Sequence, residues 1–444
     1  MFKYFPHTDE DIEAMKRAIG IASVDELFSD VPKDVFFRRK YNLPDAMSEI
    51  ELRAYFDKLG KANSDLVCFA GLGTYDHYDP AVIKSLTSRQ EFLTAYTPYQ
   101  PEVSQGTLQY IFEFQSMIQI LTGMDAANAS MYDGATATAE ACFMAEAIAR
   151  RKLILVSKTV NPYVTDVLKT YCRPRGISIE IIPETDGITD IAELEKMIDG
   201  NVAAVVAQKP NFFGLIEDFG RISEIIHANG SVFIENADLS ALGILKTPKE
   251  DGADIVVGDC QTLGIPMSYG GPGAGYMATI KAHIRKLPGR IVGLSKDVDG
   301  KRAYVLTLQA REQHIRREKA NSNICSNQSL MALYVTIYLS LMGPEGLREV
   351  NELSYQGAHY LYDRLIATGK FRPAFKGPFL KEFCLKTNIP ASTIQEVLLK
   401  NGIFGAIPMG EFGEEYQNMV SFAVTEKRTK EEIEHLVSLL EVVA

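Results

Sequence analysis

Residues 258 to 273, Gly-Asp-Cys-Gln-Thr-Leu-Gly-Ile-Pro-Met-Ser-Tyr-Gly-Gly-Pro-Gly, form a glycine-rich loop of the kind that could present a reactive side chain. An amine in such a loop can capture an aldehyde as an imine; this loop offers Gln261, and a carboxamide cannot do so. The amine would have to come from elsewhere, and a second polypeptide is the natural source. Cys260 could be a nucleophile, but such a residue is more often a small buried hydrophobe. Tyr132 to Glu140 opens a helix after a candidate strand, a geometry that offers backbone N–H groups to a phosphate. Asp133 would face that anion; the alternative is plain helix capping by Asp133, and both readings stand. Glu235 ends the candidate strand Ser231 to Glu235 and Asp238 follows three residues later, where an acid can meet a ligand or cap a loop. In Arg311 to Lys319, Arg311 could hold a carboxylate bidentately, although a helix of mixed charge more often makes surface ion pairs.

The elements that position these residues follow from periodicity. Residues 8 to 19 and 48 to 59 each begin with a capping hydroxyl and acids, then carry an apolar stripe, so they read as helices. Residues 1–90 therefore read as a helical arm. Candidate strands lie at 127–132, 153–157, 177–182, 202–207, 231–235, 254–257 and 275–279, with helical stretches at 135–151, 162–171, 191–198 and 216–229 between them. That alternation implies an α/β domain over 91–320 with a mainly parallel sheet covered on both faces. From 321 to 444 a long helical region, interrupted at Gly343-Pro344, leads to strands at 379–385 and 419–424 and helices at 391–400 and 429–441, a small α+β domain.

The formal net charge of -11 argues against a nucleic-acid backbone or an anionic membrane as partner. No apolar run reaches the roughly 18 residues of a membrane span, and Asp9, Glu10 and Asp11 leave no room for a secretory signal, so a cytoplasmic chain is expected. The six cysteines show no paired spacing and no histidine at metal spacing, which points to thiols rather than a disulfide framework, and no metal is expected.

Three stretches carry a resemblance. EFLTAYTPYQPEVSQGTLQYIFEFQ (91–115), LTGMDAANASMYDGATATAEA (121–141) and REQHIRREKANSNICSNQ (311–328) resemble the N-terminal half, or subunit 1, of glycine decarboxylase, the P-protein of the glycine cleavage system, and the similarity runs through the whole chain. The family implies the aspartate aminotransferase type of pyridoxal-phosphate fold. It also implies that the Schiff-base lysine and pyridoxal phosphate sit in a lysine-bearing subunit 2, while this chain has the same fold with a degenerate site. Gln261 then stands at the lysine position, and Glu235 where the acid facing the cofactor's pyridine nitrogen would be. The implied reaction is decarboxylation of glycine through an imine, with transfer of the aminomethyl group to the lipoyl arm of the H-protein and release of carbon dioxide, in a heterodimer or an α2β2 assembly.

By the same resemblance, Tyr96 and Tyr99 are expected in the wall of the partner's active site, with Thr97, Ser104 and Gln105 as supporting polar groups. Asp133, Thr136, Glu235, Gln261, Ser268 and Tyr269 are expected at the interface or in the degenerate site, and Arg311 as a possible carboxylate contact. No catalytic residue is expected in this chain. Two alternatives remain at this level: a self-sufficient enzyme using Lys209 or Lys246, and a non-catalytic regulatory or scaffolding subunit.

Overall fold

The structure, a computed structural model, describes residues 4–443 apart from 38, 94, 310, 311, 321–323 and 325. Arg311 therefore lies outside the described residues. The chain divides into two compact units, residues 1–64 and 65–444. In the first, the helices Asp9–Ile19 and Glu49–Gly60 start as their sequences predict: the Thr8 and Ser48 hydroxyls each accept the N–H three residues on, and Asp11 and Glu51 reach back to the cap.

The second unit holds the strands, in chain order β1 (Val67–Phe69), β2 (Ala126–Ala127), β3 (Leu153–Ser157), β4 (Ser178–Ile182), β5 (Glu184–Thr185), β6 (Ile188–Thr189), β7 (Val202–Lys209), β8 (Val232–Ala237), β9 (Ile255–Asp259), β10 (Gly275–Thr279), β11 (Ile291–Lys296), β12 (Arg302–Thr307), β13 (Phe371–Pro373), β14 (Glu382–Thr387), β15 (Ile403–Gly405), β16 (Ile407–Pro408) and β17 (Met419–Ala423). Seven form the main sheet in the order β2-β10-β9-β8-β7-β3-β4. Strands β9, β8, β7, β3 and β4 pair in parallel, and β10 runs antiparallel to both β9 and β2. The run VAAVVAQK in β7 is apolar on both faces because both are covered: Val205 and Ala207 pack into one core cluster, Ala204 and Val206 into another.

The predicted strand at 127–132 is shorter than its apolar run, since β2 ends at Ala127 and only Met131 bridges onward to Gly275. The hairpin β11–β12 lies where no strand was assigned, and its exposed face, with Leu294 open to solvent, blurs the alternation. A four-stranded antiparallel sheet, β13-β14-β17-β16, packs with the helices Ser329–Ala367, Ala391–Lys400 and Lys430–Val442 around a second core. Gly343 breaks the long helix at φ 59° and ψ -175°, and Pro344 follows, as the sequence signals. By length and composition that helix could cross a bilayer, but Met331, Leu333, Val335, Tyr338 and Leu361 along it are buried in protein core.

Candidate functional site

The carboxyl ends of the parallel strands open into a cavity of about 510 Å³. This is where an open α/β sheet receives ligands, because strand ends and helix N-termini converge there. Its wall includes Asn161 after β3, Gln208 on β7, Asn236 to Asp238 closing β8, and Asp259 with Gln261 and Thr262 closing β9. A loop around Tyr75 and the turn Tyr132 to Ala135 complete it.

Gln261 is buried, and its carboxamide is fully committed to backbone. Its Oε1 accepts the N–H of Tyr75 at 2.9 Å, while Nε2 donates to the carbonyls of Tyr75 at 2.9 Å and Ile265 at 3.0 Å. An amide can do this because it carries an acceptor and two donors; a lysine ammonium has no acceptor for the Tyr75 N–H. The residue in the amine's place has become a strut for the Tyr75 loop. Gly258, three residues earlier, is required because a Cβ there would lie 2.4 Å from the Ala237 carbonyl oxygen.

The phosphate-cradle reading of Asp133 is decided by two carboxylates at the start of the helix Gly134–Ala149. The Asp133 side chain accepts the Thr136 N–H at 2.7 Å, and the Thr136 hydroxyl receives the Asp133 N–H at 3.3 Å, a reciprocal cap. Asp259 takes the neighbouring donor, accepting the Gly134 N–H at 3.1 Å through one oxygen and the Gln261 N–H at 2.8 Å through the other. Burial, followed by the charge of Asp133, pushes the Asp259 carboxyl up to about 6 against the pull of those N–H donors. Among the described residues the wall holds no lysine, arginine or histidine. A cavity with acids on its helix N-terminus and no cation or amine in its wall does not fit a phosphorylated aldehyde cofactor.

Deeper in, Asp238 anchors a buried chain of charges. Its Oδ2 meets Lys381 Nζ at 2.7 Å; Lys381 Nζ lies 3.0 Å from His77 Nε2, and His77 Nδ1 lies 2.6 Å from Glu426 Oε2. Burial alone would raise the Asp238 carboxyl, but the Lys381 ammonium, the Thr262 hydroxyl and His77 together hold the group below its usual value. Burial, with the Lys381 charge, lowers His77, so the imidazole resists protonation. Lys381 is thus paired with Asp238, behind the wall.

Glu235 is not in that wall. Successive residues of a strand face opposite ways, and where Asn236 lines the cavity, Glu235 is completely buried with Lys209 Nζ at 4.0 Å. Lys209 is itself ion-paired to Asp251, and Lys246 is exposed; neither lines the cavity. Cys260 is fully buried, and burial raises its thiol far above the ordinary range. Ser268 and Tyr269 occupy the rim loop in left-handed conformation, φ 41° and 56°, with Tyr269 96% exposed.

The Tyr96–Gly106 loop lies apart from the cavity wall. Tyr96 is 87% exposed, and its hydroxyl shares a 2.8 Å hydrogen bond with Ser326 Oγ. The Tyr99 oxygen accepts from Arg290 Nη2 at 3.2 Å, and the half-buried Thr97 accepts the Tyr99 N–H through its carbonyl at 2.9 Å. Ser104 is buried ahead of the helix Gln105–Thr122. Gln105 clamps the β12 strand, donating to the Tyr304 carbonyl and accepting the Tyr304 N–H, each at 2.9 Å. Asp133 and Gln261 are therefore brought together in the cavity wall, with Ser268 and Tyr269 at its rim; Thr136 only caps the helix beside Asp133, and Tyr96, Thr97, Tyr99, Ser104 and Gln105 form a second locus. Asp259, Tyr75, Lys381 and Arg290 escape the sequence reading; only Asp259, two residues before Gln261, carried a visible signal.

A sheet with one antiparallel member, helices on both faces and a small C-terminal sheet domain defines the fold class: the aspartate aminotransferase type of α/β fold. A glutamate decarboxylase from Lactobacillus brevis superposes with a TM-score of 0.69 over 93% of this chain and 98% of its own, at an identity of 14% that speaks for fold alone. More narrowly, the chain belongs to the glycine cleavage system P-protein family, whose pattern matches residues 2–440. The crystal structure of a glycine decarboxylase (P-protein) of the glycine cleavage system, in inhibitor-bound form, superposes with a TM-score of 0.90, at 43% identity over 99% of both chains. Relatives described as probable glycine dehydrogenase (decarboxylating) subunit 1 are 49% identical in Desulforamulus reducens, over 99% of both chains, and 49% identical in Brevibacillus brevis, over 100% of this chain and 99% of that one.

Proposed function

We propose that this chain is the subunit of a two-subunit glycine decarboxylase that lacks the Schiff-base lysine, and that it completes the active site of a lysine-bearing subunit 2. The observation that carries the reading is the closed use of Gln261: the amine position is filled by a side chain whose every polar atom holds backbone, above a helix N-terminus taken by Asp133 and Asp259. Pyridoxal phosphate, held by the partner, supplies the electron sink for loss of glycine's carboxylate. This chain keeps the fold and presents the Tyr96–Gly106 loop to that site, with Tyr96 and Tyr99 as polar wall, Thr97, Ser104 and Gln105 behind them, and the Ser268–Tyr269 turn at the interface. The aminomethyl group then passes to the lipoyl arm of the H-protein, in a cytoplasmic α2β2 assembly. The word "subunit" in the relatives' names and the exposure of Tyr96 and Tyr269 support a partner.

The test is reconstitution. The purified chain saturated with pyridoxal phosphate is expected to show no visible band of lysine-bound pyridoxal and no release of carbon dioxide from glycine, and both are expected to appear when subunit 2 is added. A band or turnover from this chain alone refutes the reading.

A further inference from the structure

Arg290 is a buried cation without an acid. It is 4% exposed, and no carboxylate lies within ion-pair distance of it among the described residues. Nη1 donates to Asn327 Oδ1 at 3.2 Å and Nη2 to the Tyr99 oxygen at 3.2 Å, while Nε, fully buried, has no partner. A guanidinium carries five N–H donors in a planar fork suited to a carboxylate or phosphate, and a buried charge with neutral partners alone is costly. The other strongly buried cations are compensated: Lys209 by Asp251, Lys381 by Asp238, Arg428 by Asp76. Arg290 differs from them in one further respect, its place.

Its charge lies 5.2 Å from the Tyr99 ring centroid, directly under the loop read above as the wall of the partner's site. Asn327, which receives one arm of the fork, donates to Ser130 Oγ at 2.8 Å; its neighbour Ser326 bonds Tyr96, and its neighbour Gln328 lines the cavity rim. Ser326 to Gln328 thus connects Tyr96, Arg290 and the rim through one short segment.

We propose that Arg290, with Tyr99 and Asn327, is a receptor for an anionic oxygen group of a small molecule held in the partner's site, either the carboxylate of the amino-acid substrate or the phosphate of the cofactor. The inference rests on the proposed two-subunit reading and adds to it a charged residue that acts on the ligand. Because Arg290 is buried beneath Tyr99, it acts partly through the phenol it fixes, and its positive charge sets the preference for an anion.

The two-subunit holoenzyme tests it, after wild-type reconstitution has first shown that turnover depends on both chains; failure at that step refutes the two-subunit reading and this inference with it, whereas failure of the variants below refutes this inference alone. With Arg290→Gln, either the KM for glycine or the pyridoxal phosphate dissociation constant measured by equilibrium dialysis is expected to rise about 10- to 100-fold, the range for a lost hydrogen bond to a charged group. A rise confined to KM identifies the carboxylate, and a rise in the cofactor constant identifies the phosphate. Arg290→Lys, which keeps the charge, is expected to recover most of the loss while melting at the same temperature as Arg290→Gln. Both constants within twofold of wild type, an equal loss in the lysine and glutamine variants, or a change confined to subunit affinity overturns the proposal. If the glutamine variant fails to fold, Arg290→Met, which removes the charge but keeps the apolar bulk, takes its place with the same expected and overturning results.

Discussion

Replacing Gln261 by methionine isolates what the carboxamide does in place of an amine. The substitution keeps length and apolar bulk but removes the acceptor for the Tyr75 N–H and the donors to the Tyr75 and Ile265 carbonyls. Gln261, Tyr75 and Ile265 are 8%, 8% and 3% exposed, so water cannot readily replace these partners. A net hydrogen bond is worth roughly 1 kcal/mol, and a buried orphan costs roughly 1 to 3 kcal/mol, so three backbone groups losing their partners together are expected to cost about 3 kcal/mol. The chain has no tryptophan, so urea unfolding of the isolated subunit is followed by circular dichroism, with limited proteolysis at residues 71 to 75 reporting the loop. Gln261→Glu is the sharper control. It retains acceptance from the Tyr75 N–H, loses both donations and sets a carboxylate against two carbonyls beside Asp259, so it should cost at least as much, and more above neutral pH. A loss under about 1 kcal/mol in both variants, with an unchanged cleavage pattern, would refute the strut argument.

Glu235 gives a pH signature. Burial raises it from 4.5 to about 7. Between those values the native chain binds the extra proton, so stability falls as pH rises, by about 3 kcal/mol in all, and denaturation midpoints of Glu235→Gln should be flat by comparison across pH 5 to 8. Tyr96→Phe and Tyr99→Phe in the reconstituted enzyme should lower turnover by about 1 to 3 kcal/mol in transition-state terms, and unchanged kinetics would favour a scaffolding role. Gly258→Ala drives a methyl into the Ala237 carbonyl and should destabilise by about 2 kcal/mol or more in thermal unfolding.

Much of the fold was legible because burial on both faces writes itself into sequence. The runs of β3, β7 and β9 and the proline break at Gly343-Pro344 are physical necessities of a covered parallel sheet and of a helix that must bend. Strand β1 was not, since three residues have no periodicity and its partner is distant in sequence. At the site, the missing amine could be read directly from Gln261, whereas the purpose of the carboxamide could not, because Tyr75 lies 186 residues away. Asp133 stayed ambiguous until Asp259 was seen on the same helix N-terminus; Glu235 stayed plausible until the pleat turned it from the cavity. Arg290 carries no motif at all, and its interest lies in an acid that is absent, which only geometry can reveal.

Strand β1 hydrogen-bonds in parallel to β15, Val67 opposite Ile403 and Phe69 opposite Gly405, near the other end of the unit. A ribosome delivers Phe69 more than 300 residues before its partner, so this apolar strand waits, unpaired, through almost the whole of synthesis. The Tyr75 loop that follows it waits too, for Glu382 at its near end and Gln261 at its far end. Closure of the cavity is therefore a late event in the life of the polypeptide, and a chain truncated before residue 403 would leave β1 without its partner strand.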